Sequence, residues 1–245
     1  MQGDVIRKTP LIYSETFSRL SGSKVFLKAE FQQKTGSFKI RGAYFKIKSL
    51  KENEKKNGVV AASAGNHAQG VAFASALEKI PCTIVMPLTA SPAKVAATKR
   101  YGAKVILEGA NYDESWAKAQ EIAKKTNATI IHAFDDPHVI AAQGVIGLEI
   151  LEDMPDVDEV YTPIGGGGLA AGILIAIKTK NPKVKVIGVQ SKSFPAMKNS
   201  FDSGKLQSGI GDRTIADGIS VKNPGKTTFK IINDLIDDIV LVDDT

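Results

Sequence analysis

Asp158-Glu159-Val160-Tyr161-Thr162-Pro163-Ile164-Gly165-Gly166-Gly167-Gly168-Leu169-Ala170-Ala171-Gly172 reads as a strand, a glycine turn and the start of an apolar helix. A strand that turns into a helix is the repeating unit of a parallel α/β sheet. Outward from it the same alternation continues. Strands are predicted at 24–30, 58–62, 82–86, 104–108, 129–132, 158–163, 184–190 and 238–242. Helices are predicted at 38–50, 66–78, 92–101, 112–125, 139–152 and 169–180. No repeat period and no Ser- or Pro-rich linker divides the chain. Two domains, if present, are joined by more than one crossing.

Parallel sheets bind ligands where strands end in turns. Three turns are rich in small or polar residues: Thr35-Gly36-Ser37-Phe38-Lys39, Ser63-Ala64-Gly65-Asn66-His67 and Gly165 to Gly168. Successive glycines can aim backbone amides at one point, and the following helix start adds partial positive charge. That combination suits a phosphate, whereas the bland alternative is a tight turn with close helix–sheet packing. Gly165-x-Gly167-x-x-Ala170 also satisfies a dinucleotide fingerprint. That fingerprint wants an acid at the end of the next strand, and Gly188-Val189-Gln190-Ser191 has none. Leu169, where a P-loop needs lysine, argues against a nucleoside triphosphate. A phosphate monoester on an organic cofactor remains.

Lys39 opens a helical pattern, with Ser37 as the expected N-cap. A cation is misplaced in a first helical turn. Burial and the helix dipole both push toward the neutral amine that Schiff-base formation needs. Alone it is one lysine among many.

The bulk numbers fit a soluble cytoplasmic protein. The chain has 245 residues, 43% of them hydrophobic, and a net charge of +6 with basic residues spread along it. A solvated surface explains that charge better than nucleic-acid binding. Cys82, the only cysteine, excludes an intrachain disulfide and fits a reducing compartment. The first residues lack a signal-peptide core, and 165–177 is too short and glycine-rich to span a bilayer.

The three turns together resemble the threonine dehydratase and serine racemase family of pyridoxal-phosphate enzymes (β-family, fold type II). The matching stretches are Lys34-Thr35-Gly36-Ser37-Phe38-Lys39-Ile40-Arg41-Gly42-Ala43, Ala62-Ser63-Ala64-Gly65-Asn66-His67-Ala68-Gln69-Gly70 and Pro163 to Gly172. Weaker matches are Phe134-Asp135-Asp136-Pro137, Gln143-Gly144 and Ile215-Ala216-Asp217-Gly218. The resemblance implies two open, mostly parallel sheets flanked by helices, as in the tryptophan synthase β subunit. It implies a large cofactor domain from 1–44 with 146–245, and a small α/β domain from 45–145. It also implies that the chain lacks an N-terminal helix before Arg7 and a C-terminal stretch after Thr245, leaving the large domain incomplete. Family members carry the partner of the pyridine nitrogen in that C-terminal stretch.

By the same resemblance the cofactor is pyridoxal 5′-phosphate and Lys39 is its Schiff-base lysine and the catalytic base. Phe38 packs against the pyridine ring. Gly165, Gly166, Gly167, Gly168 and the Leu169 amide hold the phosphate, and Asn66 bonds the phenolic oxygen. Ser63, Ala64, Gly65, Asn66 and His67 close on the substrate carboxylate. The implied reaction is ammonia-lyase chemistry, L-threonine to 2-oxobutanoate and L-serine to pyruvate, within threonine catabolism or isoleucine biosynthesis. A racemase, a β-replacing synthase or a cofactor-binding fragment without turnover are the alternatives. Racemases of this family place a serine base where Ala64 stands, so elimination is expected. Their divalent-metal carboxylates are missing from Gln190 to Ala196, so no metal is expected. His132 and His138 read as structural, and Asp135 with Asp136 as a turn and cap. A homo-oligomer, dimer or tetramer, is the family habit.

Overall fold

The computed structural model describes residues 5–211 and 213–245. A short antiparallel pair, β1 (Leu11–Tyr13) and β2 (Phe26–Lys28), is joined by helix α1 (Glu15–Ser21). Helices α2 (Lys39–Lys48) and α3 (Glu52–Asn57) lead into the first parallel sheet. Its strands are β3 (Val59–Ala62), β4 (Cys82–Met86), β5 (Lys104–Leu107) and β6 (Thr129–Ile130), in the order β5-β4-β3-β6. The crossovers are α4 (Asn66–Leu77), α5 (Pro92–Arg100) and α6 (Tyr112–Thr126). Helix α7 (Pro137–Asp153) passes to a second parallel sheet of β7 (Glu159–Pro163), β8 (Lys185–Ser191) and β9 (Asp238–Val242). Helices α8 (Gly168–Lys180), α9 (Ala196–Ser203) and α10 (Lys226–Leu235) accompany it.

The burial pattern explains the first sheet. All four residues of β3 are buried, because helices cover both faces. Val59 and Ala61 meet Ile84 and Met86 under α2 and α4. Val60 and Ala62 meet Val85, Ala119 and Ala123 under α6. The alternation is the two-residue period of a strand. A second core gathers Ile140, Ile146 and Ile150 of α7 with Ile173, Leu174 and Ile177 of α8 over β7, β8 and β9.

Helices α7 and α8 touch through their backbones. A Cβ on Gly172 would collide with the Ile140 carbonyl oxygen and stand 2.6 Å from the Gly144 amide. No larger residue fits there. This contact fixes α8, and hence the glycine turn at its start, against α7.

The expected strands and helices are present with ends displaced by a few residues. Five elements lie outside the sequence expectation: β1, α1, α3, α9 and α10. Helices α1 and α3 bury no residue, so neither carries an apolar stripe to read. Helix α10 has its stripe in Phe229 and Ile232, but its own cap residue is Gly225 without a side chain. Among the described residues no helix is long and apolar enough to cross a membrane.

Candidate active site

Lys39 is the first residue of α2. Ser37 was expected to be its N-cap. The cap position is instead Phe38, in helical backbone, and Ser37 Oγ accepts from the Lys39 amide at 3.4 Å. The serine serves a free amide, as expected, from one residue further out. Helix α2 is held on two sides. A Cβ on Gly70 of α4 would lie 3.2 Å from the Lys39 carbonyl carbon, and one on Gly42 would strike Val139 and Gln143 of α7.

The Lys39 amine reaches inward. Its Nζ donates to the Ala133 carbonyl at 2.9 Å and stands 5.3 Å from the centre of the Phe38 ring. Burial lowers its pKa from 10.5 to about 8. Desolvation by burial is the cause of this shift. Phe38 rests on the second core.

The turn after β3 is Ser63 to Asn66. The Ser63 amide donates to Val85, and Ser63 Oγ accepts from the Gly65 amide at 3.1 Å. Ala64 leans on the first core, and a Cβ on Gly65 would meet nothing. Asn66 starts α4 and is exposed. His67 is buried, with Nε2 2.8 Å from the Ile131 carbonyl oxygen. Burial first, then the charge of Lys39, pushes it down to about 3. Its Nε2 is committed to the Ile131 carbonyl, which ties the turn to the segment after β6.

The glycine turn has packing reasons as well as chemical ones. A Cβ on Gly166 or Gly168 would collide with Phe134, and one on Gly165 would press on Ile219 and Val221. Gly167 has φ +95°, in the left-handed region that favours glycine. Packing therefore accounts for every glycine, and the excess of glycines is no evidence for a ligand. The amides are. Among the described residues those of Gly166, Gly167, Gly168 and Leu169 donate to no protein acceptor, at the start of a helix.

The segment Ile131 to Phe134 joins all three turns. Ile131 holds His67, Ala133 holds Lys39, and Phe134 lies on Gly166 and Gly168. Asp135 continues the construction. Its carboxylate accepts from the amides of Lys226, Thr227 and Thr228 at 3.0 to 3.1 Å, capping α10 from ninety residues away. Thr228 Oγ1 then donates to the Gly166 carbonyl at 2.6 Å. The expected local cap is Asp136 alone, which accepts from His138 and Val139.

Sequence reading missed Arg41. It is fully buried two residues beyond Lys39 and bonds Glu149 at 2.6 and 2.9 Å and Glu30 at 2.7 and 2.9 Å. Lys28 joins Glu149 at 2.7 Å. Burial pulls the guanidinium down, but the bonds from Glu30 and Glu149 outweigh it and raise its pKa. A signal was available: Glu149 stands in the apolar run Ile146-Gly147-Leu148-Glu149-Ile150-Leu151. An acid in such a run needs a buried partner.

A buried amine with a lowered pKa and a turn of free amides, joined through Ala133 and Phe134, suit a phosphorylated carbonyl compound. The chain belongs to the family of pyridoxal-phosphate dependent enzymes, whose description matches residues 3–245. It is 53% identical over 241 residues to the L-threonine ammonia-lyase of Thermotoga maritima, covering 98% of this chain and 60% of that one. Threonine deaminase isoform 2 of Solanum lycopersicum superposes with a TM-score of 0.95 at 40% identity, over 98% of this chain and 70% of that one. Maize serine racemase does so with a TM-score of 0.95 at 35% identity, over 99% and 74%. The fold is fold type II, and the chain spans about three fifths of the Thermotoga enzyme's length.

Proposed function

We propose that the chain carries the ammonia-lyase site of a threonine dehydratase, converting L-threonine to 2-oxobutanoate and ammonia and L-serine to pyruvate and ammonia. The observation that carries this reading is the lowered amine of Lys39, joined through the segment Ile131 to Phe134 to the turn at Ser63–His67 and to the glycine turn. The 53% identity to a threonine ammonia-lyase supports the substrate class.

Pyridoxal phosphate, when bound, supplies an aldehyde for the amine and a ring that takes up the electron pair left at Cα. The chain does the rest. Lys39 would hold the cofactor and, as a neutral amine, would take the Cα proton. Gly165 to Gly168 with the Leu169 amide bind the phosphate, and Phe38 lines the ring. Asn66 meets the phenolic oxygen. The amides and side chains of the turn Ser63 to Asn66, with the His67 amide, orient the carboxylate. Ala64 has no group to return a proton to the opposite face, which favours elimination over the racemase reading that the maize likeness suggests.

The division into 1–44 with 146–245 and 45–145 is part of this proposal, supported by one parallel sheet in each portion. A cytoplasmic homo-oligomer is also proposed. Tyr13, Phe17, Leu20 and Leu27 of the β1–α1–β2 unit and Phe31 just after it are exposed apolar residues, which supports a second copy covering part of this unit. Mixing the cofactor-loaded protein with L-threonine tests the central reading. Release of 2-oxobutanoate and ammonia in equal amounts supports it; bound cofactor without keto acid rejects it, and D-allothreonine from L-threonine, or D-serine from L-serine, selects the racemase.

A further inference from the structure

We propose that His132 binds the side-chain oxygen of the amino acid and so sets a preference for hydroxyl-bearing substrates. This deepens the lyase reading and rests on it. Two substituents of the substrate Cα already have owners on the proposed reading, the proton at Lys39 and the carboxylate at the turn after β3. The side chain needs a third wall, and His132 stands where that wall falls. Strand β6 pairs with β3, Val60 beside Ile130, so His132 lies at the same carboxyl edge as Ser63. The next residue, Ala133, holds the Lys39 amine.

The ring is fixed and its tautomer set. Nδ1 accepts from the Asp135 amide at 2.9 Å and the Phe134 amide at 3.3 Å. The proton therefore sits on Nε2. Trp116 and Phe134 hold the ring edge-on, with centroids at 5.1 and 4.7 Å. Nε2 bonds nothing among the described residues and is not sealed from solvent. Burial first and the charge of Lys39 lower the pKa of His132, against the pull of Asp135 and Asp136, which favours the neutral ring. A neutral, immobile N–H one residue from the carbonyl that holds the Lys39 amine is a donor with no partner among the described residues. A substrate hydroxyl is the acceptor that suits it. A purely structural histidine would need only Nδ1.

Two variants separate these roles. His132→Asn keeps a carbonyl able to accept from amides two and three residues on, but loses the Nε2 donor. His132→Gln carries a donor near the Nε2 position and a weaker turn. The cofactor-loaded wild type and both variants are titrated with L-serine and with L-alanine by rapid mixing, following the visible cofactor band. Wild type should bind L-serine about tenfold more tightly than L-alanine, the worth of one sheltered hydrogen bond. His132→Asn should bring the ratio to about one with L-alanine affinity kept, and His132→Gln should restore part of it. A ratio unchanged in His132→Asn, an equal loss for both amino acids, or a wild-type ratio near one overturns the proposal. Absence of keto acid in the wild type would reject the lyase reading alone, because the binding ratio is read without turnover.

Discussion

Lys39 and Arg41 are two cations two residues apart on one helix, and the fold treats them oppositely. Arg41 is fully buried and meets two carboxylates, Glu30 and Glu149, each through two bonds. Lys39 is given a carbonyl, an aromatic ring and no carboxylate. The paired cation fastens α2 to the segment after β2 and to α7. The unpaired one is left chemically available. A charge that serves structure is neutralised, whereas a charge that serves chemistry is desolvated and left uncompensated.

Exchanging the roles gives the largest effect. Lys39→Ala should abolish 2-oxobutanoate release and every covalent cofactor adduct while leaving the circular dichroism of the fold intact. An unfolded variant, or one that keeps turnover, breaks the contrast. Arg41→Met should do the reverse, leaving two buried carboxylates without their cation. Urea denaturation should show a loss of about 3–5 kcal/mol, the cost typical of breaking a buried pair. A change within the range of ordinary surface substitutions would show that Arg41 is not structural.

The pH dependence sharpens the same contrast. In the cofactor-free protein the Lys39 pKa is about 8, against 10.5 in the unfolded chain. Between those values the unfolded chain binds more protons, so stability rises with pH across that window and the Lys39 contribution is flat below it. Lys39→Met should remove that part of the slope. The rate of Schiff-base formation with added cofactor should climb as pH rises toward about 8 and level off there, as stopped-flow absorbance would record. Continued climb toward 10.5 would mean the amine is not desolvated.

Smaller effects lie in the frame around the site. Asp135→Asn keeps one acceptor for the start of α10 and loses the charge. It should cost about 1 kcal/mol, in the range of a helix cap, and weaken cofactor affinity through Thr228 and Gly166. Equal cofactor affinity would detach that frame from the phosphate cradle. Ala64→Ser places a hydroxyl within the turn that is proposed to hold the carboxylate. It should yield a trace of D-serine from L-serine, measurable by chiral chromatography.

Much of this was legible in the sequence. Short apolar runs bounded by turn residues and alternating with helical patterns revealed the parallel strands, β3 and β4 among them. Three turns stood out by composition, and all three meet on one segment. What joins them did not stand out. Ile131 and Ala133 act through backbone carbonyls, which carry no side-chain signature. Asp135 caps a helix ninety residues on, and nothing local in Phe134-Asp135-Asp136-Pro137 distinguishes that from a turn. The glycines were legible for a mixed reason: their spacing reflects Phe134 and Thr228 pressing on the turn, and the free amides follow from the helix start. Arg41 was visible through Glu149 rather than through itself.

Borohydride reduction of the cofactor-loaded protein followed by peptide mapping bears most directly on the role of Lys39. A single pyridoxyl label on Lys39 is the expected result. A label on any other of the chain's lysines, or on none, contradicts it.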